Sequence, residues 1–207
     1  MYISDEMLRE KEKFVWGMFS LGGLSESGKS AAGLYFDSIG IKRMKIIQFE
    51  KEMMRDRGYD FIDHPSEEDF VRLYADDEES TFREWLYRLI CKMEEENIHY
   101  ASIESLYRAK LGLFLKREFG NKMLNVYVDA PFDIRVRREY QKRKQNNPNT
   151  TFEEIKKLDE QKDQFKIKHG ALEVKDIADI IVNNGENVTS KEDYLNIMRG
   201  IASIIKK

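Results

Sequence analysis

The run Gly23-Leu24-Ser25-Glu26-Ser27-Gly28-Lys29-Ser30 satisfies G-x-x-x-x-G-K-[ST] at every constrained position. The chemistry such a run could do is to hold a chain of phosphates. Gly23 and Gly28 let the backbone curl, so that successive N–H groups point at phosphate oxygens. A helix starting at its end adds a positive terminus. Lys29 then reaches the β- and γ-phosphates, and the Ser30 hydroxyl ligates Mg²⁺. The run predicts a bound nucleoside triphosphate, ATP with Mg²⁺, contacted from Gly23 through Ser30 to Ala31.

The flanking segments suit that task. Residues 14–21 read as a buried strand and residues 31–39 as a helix. A strand over 42–47 and a helix over 49–57, ending near Gly58, come next. Ser66 starts a helix, and Thr81-Phe82-Arg83-Glu84 has the capping-box pattern of another. After Thr81, the residues Phe82, Trp85, Leu86, Leu89, Ile90 and Met93 form a helical apolar stripe that predicts core packing. Residues 98–103 read as a strand, 106–118 as a helix stopped by Gly120, and 124–128 as a strand. A basic helix over 132–144, a turn-rich hinge, and a helix capped by Thr151 follow. A strand over 178–182 and a helix capped by Ser190 close the chain. Alternating strands and helices predict an α/β fold: a five-stranded, mostly parallel sheet with helices on both faces, in three layers.

Bulk properties narrow the classes. The 207 residues suit one domain over 1–207 with insertions. Lys and Arg total 35 against 38 Asp and Glu, a net charge of −3, which gives no case for nucleic-acid binding. No apolar run approaches membrane-spanning length, and the acidic start lacks a signal-peptide apolar stretch. The lone Cys91 sits in the apolar stripe as a core residue and suits a reducing compartment. These features predict a cytoplasmic protein with no membrane partner. His64, His99 and His169 lack ligand spacing. The run Asp76-Asp77-Glu78-Glu79 reads as a solvated charge cluster. Tyr59, Phe61, Tyr74 and Trp85 could line an acceptor pocket, with core packing the simpler expectation.

Absences select among phosphate-loop proteins. No Asn-Lys-x-Asp element follows a later strand, as a GTPase would need, and no apolar strand ends in Asp-Glu, as a motor ATPase would need. The chain resembles the nucleoside-monophosphate-kinase superfamily of P-loop kinases. It is most similar to the branch holding dephospho-coenzyme A kinases, deoxynucleotide monophosphate kinases and archaeal adenylate-kinase-like proteins. The residues carrying this are Gly23 to Ser30; Val126-Tyr127-Val128-Asp129-Ala130-Pro131 with Arg135 and Arg138; Thr151-Phe152-Glu153-Glu154 with Asp159; and Ala178-Asp179-Ile180-Ile181-Val182-Asn183-Asn184-Gly185.

The resemblance implies a P-loop segment over 14–58, a helical acceptor-site insertion over 59–98 and a lid over 131–170. Arg135 and Arg138 match the lid arginines, one set near the adenine and the other at the phosphates. Arg135, Arg138 and Arg143 also share one side of their helix. Asn184 falls in the closing motif on the nucleotide side. The acceptor places hold Gln48 and Lys51, with Arg55 and Arg57 nearby. Where the branch often has Asp-Gly-[IV]-Arg, this chain has Glu104-Ser105-Leu106-Tyr107-Arg108. Glu104 is the candidate base or outer metal ligand, and Arg108 a candidate acceptor contact.

The resulting expectation is an ATP- and Mg²⁺-dependent kinase. It transfers the γ-phosphoryl group to a nucleoside or deoxynucleoside monophosphate, or to a similar small phosphorylated acceptor. Lys29, Arg135, Arg138 and Glu104 would carry the catalysis. Dephospho-coenzyme A kinase and a regulatory nucleotide-binding protein remain open beside it.

Overall fold

A computed structural model describes residues 3–188 and 190–206. The strands are β1 (Gly17–Gly22), β2 (Lys42–Lys45), β3 (Tyr100–Leu106), β4 (Met123–Asp129) and β5 (Ile180–Asn183). The helices before β3 are α1 (Asp5–Glu12), α2 (Lys29–Ser38), α3 (Ile46–Asp56), α4 (Glu67–Ala75) and α5 (Glu78–Glu95). Those after it are α6 (Ala109–Phe119), α7 (Phe132–Asn146), α8 (Phe152–Lys168), α9 (Glu173–Asp176) and α10 (Lys191–Ile205).

The strands form one five-stranded sheet in the order β2-β3-β1-β4-β5, and every pairing is parallel. The fold is α/β with both faces of the sheet covered, as the alternation predicts. Side-chain alternation along β1 shows why both faces are needed. Met18 joins a core with Phe49, Trp85 and Leu115, from α3, α5 and α6. Phe19 and Leu21 join a second core with Phe36 and Met198, from α2 and α10. Burying β1 at every residue puts the loop that follows it at the centre of the sheet's carboxyl edge, where ligands bind in such folds.

Several element ends differ from the expectations. β1 starts at Gly17 rather than residue 14. β2 stops at Lys45, because Ile46 turns inward as the first buried residue of α3. β3 runs on to Leu106 because it stays paired with β1, through a bulge that skips Ser105. α6 accordingly starts at Ala109. Thr81 caps nothing. It is buried inside α5 and donates to the carbonyls of Leu73 and Asp77. The N-cap is Asp77, whose side chain accepts from Ser80 N at 2.9 Å, so the acidic run begins a helix rather than lying between helices. The capping residues Ser66, Thr151 and Ser190 each form a full capping box. Cys91 is half-buried rather than in the core. No helix among the described residues is long and apolar enough to cross a membrane.

Candidate active site at the phosphate loop

The loop between β1 and α2 has the backbone its glycines permit. Gly23 has φ +130°, and a Cβ there would sit 2.3 Å from the Val128 carbonyl oxygen. Gly28 has φ +116°, and a Cβ would sit 2.4 Å from Asn184 Nδ2. Both positions exclude side chains. Glu26 also takes positive φ, +55°.

Side chains from later elements hold the loop from outside. Asn184, just past β5, donates its amide to Ser27 O at 2.7 Å, and its own N–H to Asp129 O at 2.7 Å. Tyr194 on α10 donates its hydroxyl to Gly28 O at 2.9 Å. Arg135 Nη1 donates to Ser25 O at 2.9 Å, Nε donates to Ala130 O at 3.0 Å, and Nη2 pairs with Asp163 at 2.7 Å. The Arg135 guanidinium is therefore buried beside the loop and fully committed to the chain. Arg138 is half-buried. It donates to Asn184 O at 3.0 Å, and its Nη1 has no hydrogen-bond partner among the described residues. Arg143 pairs with Glu139 at 2.5 Å.

Cations converge here. Lys29 is buried and donates to Leu24 O at 2.5 Å and to Ser27 Oγ at 3.2 Å. Burial, and then the neighbouring Lys166 ammonium, bring its pKa down to about 7. Lys166, on α8, donates to Ser25 Oγ at 3.0 Å, and burial lowers its pKa as well. Two lysines and Arg135 crowd around one short loop, with Asp163 facing Arg135 and the Ser25 N–H.

Ser30 Oγ donates to Glu104 Oε1 at 2.5 Å. The other Glu104 oxygen accepts from Arg43 Nε. Burial would raise the Glu104 pKa, but the hydrogen bonds from Arg43 and Ser30 outweigh it and hold the carboxyl below its ordinary range. Gly33 makes room for this pair: a Cβ there would lie 3.1 Å from Arg43 Nε and 3.2 Å from Glu104 Oε2. Ser105 replaces the glycine of the resembling pattern, yet has φ +70°, so glycine-like backbone survives without glycine.

The acceptor candidates are dispersed. Gln48 is exposed and pairs with Glu52 at 3.4 Å. Lys51 donates to the Asp63 carbonyl. Arg55 is exposed, 5.4 Å from the Phe61 ring centroid. Arg108 is mostly buried against Tyr74, its guanidinium carbon 3.9 Å from the ring centroid. Arg43, Asp163, Lys166 and Tyr194 were not among the expected site residues. The i, i+3 spacing of Asp163 and Lys166 on a lid helix was the available signal. Arg43 sat unmarked in a basic strand.

No protein-family model matches the chain, and no curated protein sequence matches it. Solved structures do. An uncharacterized protein from Eubacterium ventriosum is 11% identical at a TM-score of 0.55, over 93% of this chain and 99% of that one. The protein TT1252 from Thermus thermophilus is 15% identical at a TM-score of 0.51, over 90% of this chain and 96% of that one. Shikimate kinase from Bacteroides thetaiotaomicron is 11% identical at a TM-score of 0.49, over 92% and 99%. The first two show that this chain shares its fold with known proteins over nine-tenths of its length.

Proposed function

We propose that the chain is an ATP- and Mg²⁺-dependent small-molecule kinase that passes the γ-phosphoryl group to a small acceptor. The observation that carries this is Lys29 and Ser30 at the start of α2, with Ser30 already hydrogen-bonded to Glu104. A phosphate chain bound at the cationic loop would accept hydrogen bonds from Lys29, Lys166 and the N–H groups at the start of α2.

Ser30 and Glu104 suit Mg²⁺, because both offer hard oxygen at one point and the carboxyl stays ionised. Bound there, the ion would neutralise charge between the β- and γ-phosphates. A carboxyl held below its ordinary range is a weak base, so Glu104 fits the metal-holding role better than proton abstraction. Arg43 fixes its orientation. The unpartnered Nη1 of Arg138, beside Asn184, supports a role for this side chain at the nucleotide. Arg135 supports the loop from beside it and acts through Ser25.

The loss of the Asp-Gly-x-Arg glycine would favour a regulatory nucleotide binder if it changed the backbone. The positive φ of Ser105 removes that reason. The nucleotide-like acceptor rests on sequence resemblance. The test measures MgATP affinity and acceptor-dependent ADP release in the parent and in Lys29→Ala. MgATP binding lost in Lys29→Ala, with release stimulated by an acceptor, supports the kinase. Parent protein that does not bind MgATP overturns it.

A further inference from the structure

Just past the carboxyl end of β3, a cleft of about 230 Å³ opens at the start of α6, lined by Ala109, Lys110, Lys168 and His169 among others. The first N–H groups of a helix find no carbonyl inside it. At α6 no side chain takes that place: Arg108 stands at the N-cap with φ −114° and makes no side-chain cap. Its guanidinium lies over the Tyr74 ring instead, the carbon 3.9 Å from the centroid. The helix runs for 11 residues, so its start also carries the positive end of a dipole.

His169 points to a ligand independently. Only 8% of its side chain is exposed, and its Nε2 has no hydrogen-bond partner among the described residues. Glu67 Oε1 stands 3.7 Å away, beyond hydrogen-bond reach. Packing fixes the ring: its centroid lies 4.5 Å from that of Phe165, and 6.3 Å from that of Tyr107, which it meets edge-on. Burial, and then Arg108, hold the ring below its ordinary pKa range, so at neutral pH it is uncharged and carries one N–H. Buried polar atoms are normally paired, and an unpaired one is met by something bound beside it.

The charges around the cleft leave room for an anion. Glu78 is held by Lys110 at 2.7 Å. Glu173 lies against Gly170, whose missing side chain makes space for it: a Cβ there would sit 3.1 Å from Glu173 Oε2. Lys168 pairs with Glu67, but both side chains are exposed, and such a pair opens easily.

We infer that the start of α6 and His169 form a binding site for a small tetrahedral oxyanion, free phosphate or the phosphate group of a monoester, with Lys168 as its exposed cation. The site shares no residue with the phosphate loop and stands whether or not that loop transfers phosphate.

The test follows the His169 ring C–H signals of the full chain by NMR, assigned by their loss in His169→Phe. Inorganic phosphate at neutral pH is expected to shift them saturably. Ala109→Pro removes one N–H from the first turn while placing there a residue that suits it. It is expected to weaken phosphate binding about tenfold. Lys29→Ala, in the separate loop, is expected to leave the affinity within about twofold. Adenosine monophosphate in the same titration separates the sources. Saturation at a lower concentration than phosphate assigns a monoester, and saturation at an equal or higher one assigns the free anion. Sulfate, whose charge is constant over the range in which the ring titrates, gives a second readout. Bound beside His169, it is expected to raise the ring's titration midpoint by about half a pH unit. No saturable shift, a shift lost in Lys29→Ala, or parent-like phosphate binding in Ala109→Pro overturns the site. If Ala109→Pro does not fold, the sulfate titration decides, and an unmoved midpoint overturns the site.

Discussion

Arg135 Nη2 meets Asp163 Oδ2 at 2.7 Å, with 3% and 8% of the two side chains exposed. The pair ties α7 to α8. Because Arg135 also donates to Ser25 O, and Asp163 accepts from Ser25 N at 3.1 Å, it ties both helices to the phosphate loop. Removing one partner of a buried pair strands the other charge. Asp163→Ala is therefore expected to lose about 3–5 kcal/mol of unfolding free energy in urea titrations. A loss under 1 kcal/mol, on the order expected of an exposed pair, would show that the latch is not buried in solution.

Gly23→Ala tests the loop geometry itself. The new methyl would meet the Val128 backbone oxygen at 2.3 Å, at a φ of +130°. Backbone strain and the clash together are expected to destabilise the protein by about 2 kcal/mol or more, read as a lower Tm. Ser105→Gly is the converse. It relieves a positive φ of +70°, and the expected gain is about 1 kcal/mol after glycine's extra unfolded-state entropy. An unchanged Tm in Ser105→Gly would mean that the bulge does not strain Ser105.

Lys29 gives a pH dependence. Its folded pKa is about 7 against an ordinary 10.5, because burial and Lys166 disfavour the ammonium. Between those values the unfolded chain keeps the proton that the folded chain lacks. This group's penalty is therefore full below about pH 7 and fades as the pH rises toward 10.5. Lys29→Met is expected to raise stability most at neutral pH and below, with its advantage over the parent shrinking toward pH 10. An advantage independent of pH would contradict the burial of the ammonium.

What the sequence disclosed was local. The phosphate loop is contiguous, so its residue types, glycine conformations and helix start were all legible before any folding. The caps at Ser66, Thr151 and Ser190 were legible for the same reason, each closing within three residues. The same pattern failed at Thr81, because Asp77 begins α5 earlier and the Thr81 hydroxyl finds buried carbonyls instead. Partners that close across the fold left no local mark. The Arg43–Glu104 contact joins residues 61 apart in sequence, and Lys166 reaches Ser25 across 141. Glu50, an acid on the apolar face of α3, likewise finds its partners, Tyr74 and Tyr107, only across the fold.

The central claim is phosphoryl transfer from this loop, and its most direct measurement follows the γ-phosphate of ATP. Protein with MgATP is offered nucleoside monophosphates, deoxynucleoside monophosphates, dephospho-coenzyme A and small hydroxy acids in turn. Mass spectrometry then asks whether any has gained a phosphoryl group, with Lys29→Ala as control. The account predicts one phosphorylated acceptor, formed with matching ADP release and absent in Lys29→Ala. Tight MgATP binding with no acceptor phosphorylated would contradict it and leave a nucleotide-binding protein that performs no transfer.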